Sequence, residues 1–249
     1  MRFVLFLLLI VPFTLFAHFQ VLLPSSAIIT DQNNAKITLL YEFTHPFQQM
    51  RMQMQKPFRL GVFYDGKSYD MLPTIQEVKK DGYTTWINEF HFMAPAVYQF
   101  FVDPKPSFEP AEEKFIHHQT KVIIDAFESG ENWDVPIGLK AEIIPLTRPY
   151  GLYSGNIFSA KVLYKGKVAS GVNVEVELYN TEGYKAASNL HVTQVMKTDA
   201  NGIFHFVMPK AGWWGFAALI EDDEMITKQD KKYPVELGAV LWIYANEGY

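Results

Sequence analysis

Seven histidines and no cysteine bound the chemistry open to this 249-residue chain. His18 is the most telling of them, because it follows at once on MRFVLFLLLIVPFTLFA. Removal of that stretch as a leader, cut after Ala17, leaves histidine as the first residue of the mature chain. A free α-amine and the imidazole Nδ1 of one residue chelate an ion in a small ring that no internal histidine can form. Copper, nickel, cobalt and zinc all favour such nitrogen donors. His45 stands in FTHPF, where an apolar strand ends at a proline, and strand ends are where scaffolds place binding residues. The tandem pair His117 and His118 belongs to a strand continuing through Val122 and Ile124. Successive strand residues point to opposite faces, so only one of the pair can easily join a given site. His91, His191 and His205 fit structural roles better. Met50, Met52 and Met54 share a face if extended; packing of an apolar sheet face is preferred there over a soft copper(I) site. Glu109, Glu112 or Glu113 could add a carboxylate ligand or an outer partner to a histidine.

The elements that must position these residues begin with the leader. Arg2, the apolar run Phe3 to Phe13 and the small Ala17 form the pattern of a cleaved signal peptide, residues 1–17. Phe3 to Ala17 spans 15 residues, short of the roughly 20 needed to cross a bilayer. The mature chain is therefore expected to be exported, periplasmic and not inserted in the membrane. Without cysteine it has neither a lipidation site of the bacterial exported type nor disulfides, and packing alone must stabilise it. Loss of Arg2 leaves 21 basic against 27 acidic residues, a net charge of −6. Such a balance disfavours nucleic acid as a partner. Neither a GxSxG elbow, a P-loop, a Rossmann glycine pattern nor an HExxH helix occurs, so the familiar hydrolases and nucleotide enzymes find no support.

From His18 onward the apolar stretches are short, rich in β-branched and aromatic residues, and separated by turn signals, which is an all-β signature. Strands are expected at Phe19 to Leu23, Lys36 to Phe43, Phe58 to Tyr64, Thr84 to Phe92 and Ala96 to Val102. The only segments of helical character are Lys228 to Lys231 and Glu109 to Lys114. In a second unit, Val172, Val174, Val176 and Leu178 alternate with Asn173, Glu175 and Glu177, which puts the two sets on opposite faces. Turns are expected at Lys165-Gly166-Lys167 and Asp199 to Gly202. Two β-sandwich domains follow: residues 18–137, carrying the metal site, and residues 138–249, which resemble immunoglobulin and transthyretin-like sandwiches.

The stretches AHFQVLLPS, FTHPF, MRMQMQKPF, PKPSFEPAEEKFIHH, GLKAEIIPLTRPYGLYSGN and PKAGWWGFAAL together resemble the DUF4198 or NikK-like family over nearly all of the mature chain. That resemblance implies a periplasmic accessory component of nickel or cobalt ECF-type uptake transporters. It also implies a ligand role for the histidine of the HPF motif, His45, and for the histidine before Gln119-Thr120-Lys121, which is His118, with His117 as the alternative.

The expected function is a non-catalytic Ni²⁺ or Co²⁺ carrier, with Cu²⁺ or Zn²⁺ as other ions the donors would accept. It captures metal through His18, His45 and His118 and presents it to inner-membrane components of such a transporter. Two rivals belong to other classes. A copper protein or enzyme with an amino-terminal histidine brace would share His18 and a second histidine. A structural or glycan-binding sandwich would use none of them; its Trp213 and Trp214, adjacent on a strand, cannot both face one ligand.

Overall fold

Apolar alternation at a period of two resolves into twenty strands in a computed structural model that describes residues 18–248. The expected leader, residues 1–17, lies outside the described residues. The first half supplies β1 (Phe19–Pro24), β2 (Ile28–Ile29), β3 (Lys36–His45), β4 (Met50–Met52), β5 (Arg59–Tyr64), β6 (Lys67–Asp70), β7 (Gln76–Lys80), β8 (Tyr83–His91), β9 (Ala96–Asp103), β10 (Ser107–Glu109) and β11 (Lys114–Ala126). The second half supplies β12 (Ala141–Pro145), β13 (Leu152–Tyr153), β14 (Ile157–Tyr164), β15 (Lys167–Val168), β16 (Asn173–Leu178), β17 (Gln194–Lys197), β18 (Ile203–Val207), β19 (Gly212–Lys228) and β20 (Lys231–Asn246). Among the described residues the only helical pieces are three short 3₁₀ turns, so the chain is all-β.

The two segments of expected helical character are both hairpin tips. Between β19 and β20, Gln229 and Asp230 take φ of 49° and 62°, the left-handed pair whose twist matches that of flanking strands. Lys165 and Gly166 do the same at the expected turn, as do Asp65 and Gly66 between β5 and β6. Glu109 pairs with Lys114 across the β10–β11 hairpin, and Glu113 at its tip has φ of 50°.

Three sheets result. One runs β1-β3-β8-β7 with β4 against β3; another runs β12-β14-β15 with β18 against β14. The third runs β17-β16-β19-β20-β11-β9-β5-β6, with β2, β10 and β13 beside it. Its seam is the parallel pairing of β11 with β20, from Phe115 opposite Val235 to Val122 opposite Trp242, which joins the two halves of the chain. Both faces of the seam are buried. Along β20, Val240 and Trp242 enter a core shared with Tyr41 and Phe43 of β3, whereas Ala239, Leu241 and Ile243 enter a core shared with Phe158 and Val162 of β14. Each half contributes to both cores: Tyr179 and Ala217 reach the first, Val97 and Ile123 the second.

Buried polar groups tie the layers together. Lys121, 1% exposed, donates to Glu142 Oε1 at 2.7 Å and Gln99 Oε1 at 3.2 Å. Glu142 also accepts the backbone N–H groups of Ile137 and Gly138 at 2.9 and 3.1 Å. Burial pushes the Lys121 ammonium down from its ordinary pKa, and Glu142 opposes that shift. The fully buried Glu42 of β3 accepts from Tyr179 Oη at 2.7 Å and Arg51 Nε at 3.0 Å.

Candidate metal centre

Antiparallel pairing of β1 with β3 sets Phe19 opposite Thr44. One step beyond, His18 meets His45, where Pro46 ends the strand. Their ring centroids are 4.6 Å apart, with the planes tilted by 49°. The loop after His45 is held by the second half of the chain. Asn180 donates to the carbonyls of Pro46 and Phe47 at 3.3 and 3.1 Å, and the Phe47 N–H donates to Glu177 Oε2 at 3.2 Å.

His118 comes from β11, on the face that also carries the core residue Ile116 and Thr120, whose hydroxyl donates to the Gln20 carbonyl at 3.2 Å. It is 2% exposed, and neither ring nitrogen has a hydrogen-bond partner. Glu236 Oε1 lies 3.6 Å from His118 Nε2, too long for a hydrogen bond but close enough for strong electrostatic coupling. Gly238 makes room for the ring. It stands opposite His118 in the parallel register, and a Cβ there would fall 2.3 Å from Cδ2 and 2.8 Å from Nε2.

The electrostatics around this group are strongly perturbed. Burial, with His45 and His118 adding to it, lowers the His18 pKa to about 4, so the imidazole keeps its lone pairs well into acid. Burial acts to raise the Glu236 pKa, but His118 and Lys114 outweigh it and hold the carboxyl at about 2. Lys114 bridges Glu236 and Glu112. Burial, then repulsion from Glu236 and Glu177, pushes Glu175 up to about 7. Glu177 also reaches about 7 through burial, opposed by hydrogen bonds from the Thr193 hydroxyl and the Phe47 N–H.

The structure thus sets the rings of His18 and His45 together and brings His118 close enough to act electrostatically on His18. Among the described residues, no group of three or more His, Asp or Glu side chains is placed to hold a metal ion. His117 faces away, its Nε2 2.7 Å from Asp103 Oδ1. Burial acts to raise the Asp103 carboxyl, yet hydrogen bonds from His117, Gln119 and Arg59 bring it below its ordinary range. His91 is exposed at the end of β8, and the ring nitrogens of His191 and His205 meet the hydroxyls of Ser188 and Ser159 at 2.8 and 2.7 Å. The methionine row is divided: Met50 is 53% exposed, while Met54 is a core residue 3.5 Å from Gln20 Nε2. Of the three candidate glutamates, Glu109 Oε2 reaches His18 Nε2 at 3.4 Å, Glu112 meets Lys114, and Glu113 meets Lys231.

Four residues were not singled out from the sequence as part of this group: Glu236, Gly238, Glu175 and Glu177. A signal existed for two of them, because the alternation that buries Val174 and Val176 in the second core turns Glu175 and Glu177 to the other face. On β11 of the same sheet His118 also points away from the second core, beside Ile116 and Val122 of the first.

The family model described as "Domain of unknown function (DUF4198)" matches residues 15–222. No curated protein matches the chain. Among solved structures, dimeric latent PorU from Porphyromonas gingivalis is 12% identical, aligned over 89% of this chain and 20% of its own length, with a TM-score of 0.26. The fibronectin(III)-like modules of Clostridium thermocellum CbhA are 8% identical over 91% of this chain and 95% of theirs, with a TM-score of 0.25. The D0-D1 domain of Intimin is 11% identical over 92% and 100%, with a TM-score of 0.26. Scores this low leave the architecture to be read from the strands themselves. No helix among the described residues is long and apolar enough to cross a membrane.

Proposed function

The chain belongs to the DUF4198 family, and from that premise we propose that it is an exported, non-catalytic binder of Ni²⁺ or Co²⁺ that hands the ion to inner-membrane uptake components. His18, His45 and His118 are the ligands in this reading. One observation carries it: His118 is 2% exposed with both ring nitrogens unpartnered, and it is coupled electrostatically to His18, whose ring lies against His45. A buried polar atom without a partner costs about 1–3 kcal/mol, and native proteins leave few of them. An ion bound at Nε2 or Nδ1 removes that cost. The depressed pKa of His18 agrees with the same role, since imidazole binds metal only when unprotonated.

The donor chemistry alone ranks copper above nickel and cobalt, following the general order of divalent affinities. Nickel and cobalt are preferred because the resemblance to transporter accessory proteins points to them. Nothing in this chemistry calls for a reaction: the site needs only to take up an ion and release it.

The test uses the mature chain beginning at His18, its start verified by intact mass, titrated with Ni²⁺, Co²⁺, Cu²⁺ and Zn²⁺ by calorimetry. Tight one-to-one binding of nickel or cobalt, weakened by one extra residue ahead of His18 and by His118→Ala, is the expected result. If no ion binds, or binding is indifferent to His118→Ala, the reading fails and a structural or glycan-binding sandwich takes its place.

A further inference from the structure

We infer that Glu236 is the carboxylate ligand that completes the histidine site, so that the ion is held by a mixed nitrogen and oxygen set drawn from both halves of the chain. This rests on the metal-binding reading above. The first support is geometric. Two donors about 2.1 Å from one ion, set at the tetrahedral angle, stand about 3.4 Å apart. Glu236 Oε1 and His118 Nε2 are 3.6 Å apart, so a small adjustment lets both reach a common ion. A hydrogen bond would have drawn them closer, and both imidazole nitrogens stay unpartnered instead.

The second support is the placement of the carboxylate. The parallel pairing of β11 with β20 sets Glu236 beside Ile116, on the same face as His118 and two residues from Gly238, the position that admits the ring. Its other oxygen, Oε2, is taken by Lys114. That leaves Oε1 aimed at the imidazole, with the carboxylate held in one orientation. Lys114 acts as a positioning residue here, and its second partner Glu112 anchors it in turn.

Glu109 is the competing carboxylate, with Oε2 3.4 Å from His18 Nε2. Glu236 Oε1 is the carboxylate oxygen that approaches the buried, unpartnered ring of His118, whereas Glu109 Oε2 approaches the half-buried His18. Glu236 is therefore the carboxylate placed to satisfy the buried imidazole. Its position also lies past residue 222, where the match to the family model ends. A carboxylate in the set favours divalent nickel, cobalt or zinc over soft copper(I).

The experiment compares the wild-type mature chain with Glu236→Gln and Glu109→Gln, loaded with Co²⁺ and followed by calorimetry and by the visible d–d absorption of the ion. Glutamine keeps the size of the side chain and removes its charge. Glu236→Gln is expected to lower Co²⁺ affinity by roughly 10–100-fold, at least the loss seen when an outer partner of a ligand is removed, and to change the d–d bands. Glu109→Gln, at the carboxylate beside His18, is expected to change affinity and bands less than Glu236→Gln, and an equal or larger effect overturns the choice of Glu236. Wild-type binding with an unchanged spectrum and affinity in Glu236→Gln overturns the assignment of Glu236 while the histidine reading stands. A wild-type chain that binds no Co²⁺ overturns both. A far-ultraviolet spectrum and melting temperature equal to wild type establish that the Gln variant is folded.

Discussion

Gly238→Ala tests the packing of His118 through the sign of its effect. Glycine within a strand is ordinarily worse than alanine by roughly 0.5–1 kcal/mol, so on backbone grounds alone the substitution should stabilise the protein. The added Cβ, however, would lie 2.3, 2.7 and 2.8 Å from Cδ2, Cγ and Nε2 of His118. No real Cβ contact is that short, and the ring is 2% exposed with little space to yield. Neither strand can move aside easily, because β20 is paired with β19 on one edge and β11 on the other. Overpacking of this kind costs about 1–3 kcal/mol, which exceeds the backbone gain. In a chain of this length each kcal/mol corresponds to about 2–4 °C of melting temperature. Urea unfolding of wild type, Gly238→Ala, His118→Ala and the double variant forms a cycle. Gly238→Ala is expected to destabilise when His118 is present and to stabilise when it is absent. If the single variant is neutral or more stable than wild type, the ring does not occupy the space above Gly238 and the geometry argued for the site is wrong.

Three further outcomes follow from the same contacts. Lys121→Ala is expected to cost about 3–5 kcal/mol in urea unfolding, because it leaves the Glu142 charge buried without its cation; a loss below 1 kcal/mol would contradict the buried pair. Glu175, with a pKa raised from 4.5 to about 7, favours its protonated form in the fold. Its stabilising contribution is therefore complete below pH 4.5 and lost as the pH rises through 7. His18 slopes the other way, losing stability as the pH falls from 6.5 toward 4. The difference between Glu175→Gln and wild type cancels the His18 contribution: it should be small at pH 4.5 and increasingly favourable to the variant up to pH 8, and a flat difference would refute the assignment. Finally, Ni²⁺ at 100 times its dissociation constant should stabilise the mature chain by about 2.7 kcal/mol, an effect absent from His118→Ala and measurable as a melting shift.

The strands that carry the site were legible because their residues follow local rules. Alternation exposed Lys36 to Phe43 and Thr84 to Phe92, and paired left-handed residues mark the hairpins at Asp65 and Lys165. Alternation also established that His117 and His118 part company, though not which of the two faces the other histidines. The pairing partners settle that face, with Asp103 taking His117 and the open space above Gly238 taking His118. Glu236 was invisible for a physical reason: β11 and β20 pair in parallel across more than a hundred residues of intervening chain, and no local pattern encodes a contact of that range. The hairpin tips at Glu109 to Lys114 and Lys228 to Lys231 looked helical because short charged stretches suit an exposed helix as well as an exposed turn.

That long-range pairing bears on how the proposed site would assemble. His18 and His45 come from the first sheet, His118 and Glu236 from either side of the seam between β11 and β20, and the loop after His45 is held by Asn180 and Glu177. An ion on these residues would therefore bind only after both halves have docked, and would stabilise that docking in turn. The α-amine of His18 adds a second requirement, since it becomes a donor only when the bond after Ala17 is cut. On the proposed reading the uncleaved chain should hold the ion through imidazole and carboxylate alone, and more weakly. Equal Ni²⁺ affinity for the uncleaved and mature chains, measured side by side by calorimetry, would remove the amine from the ligand set while leaving the three histidines in place.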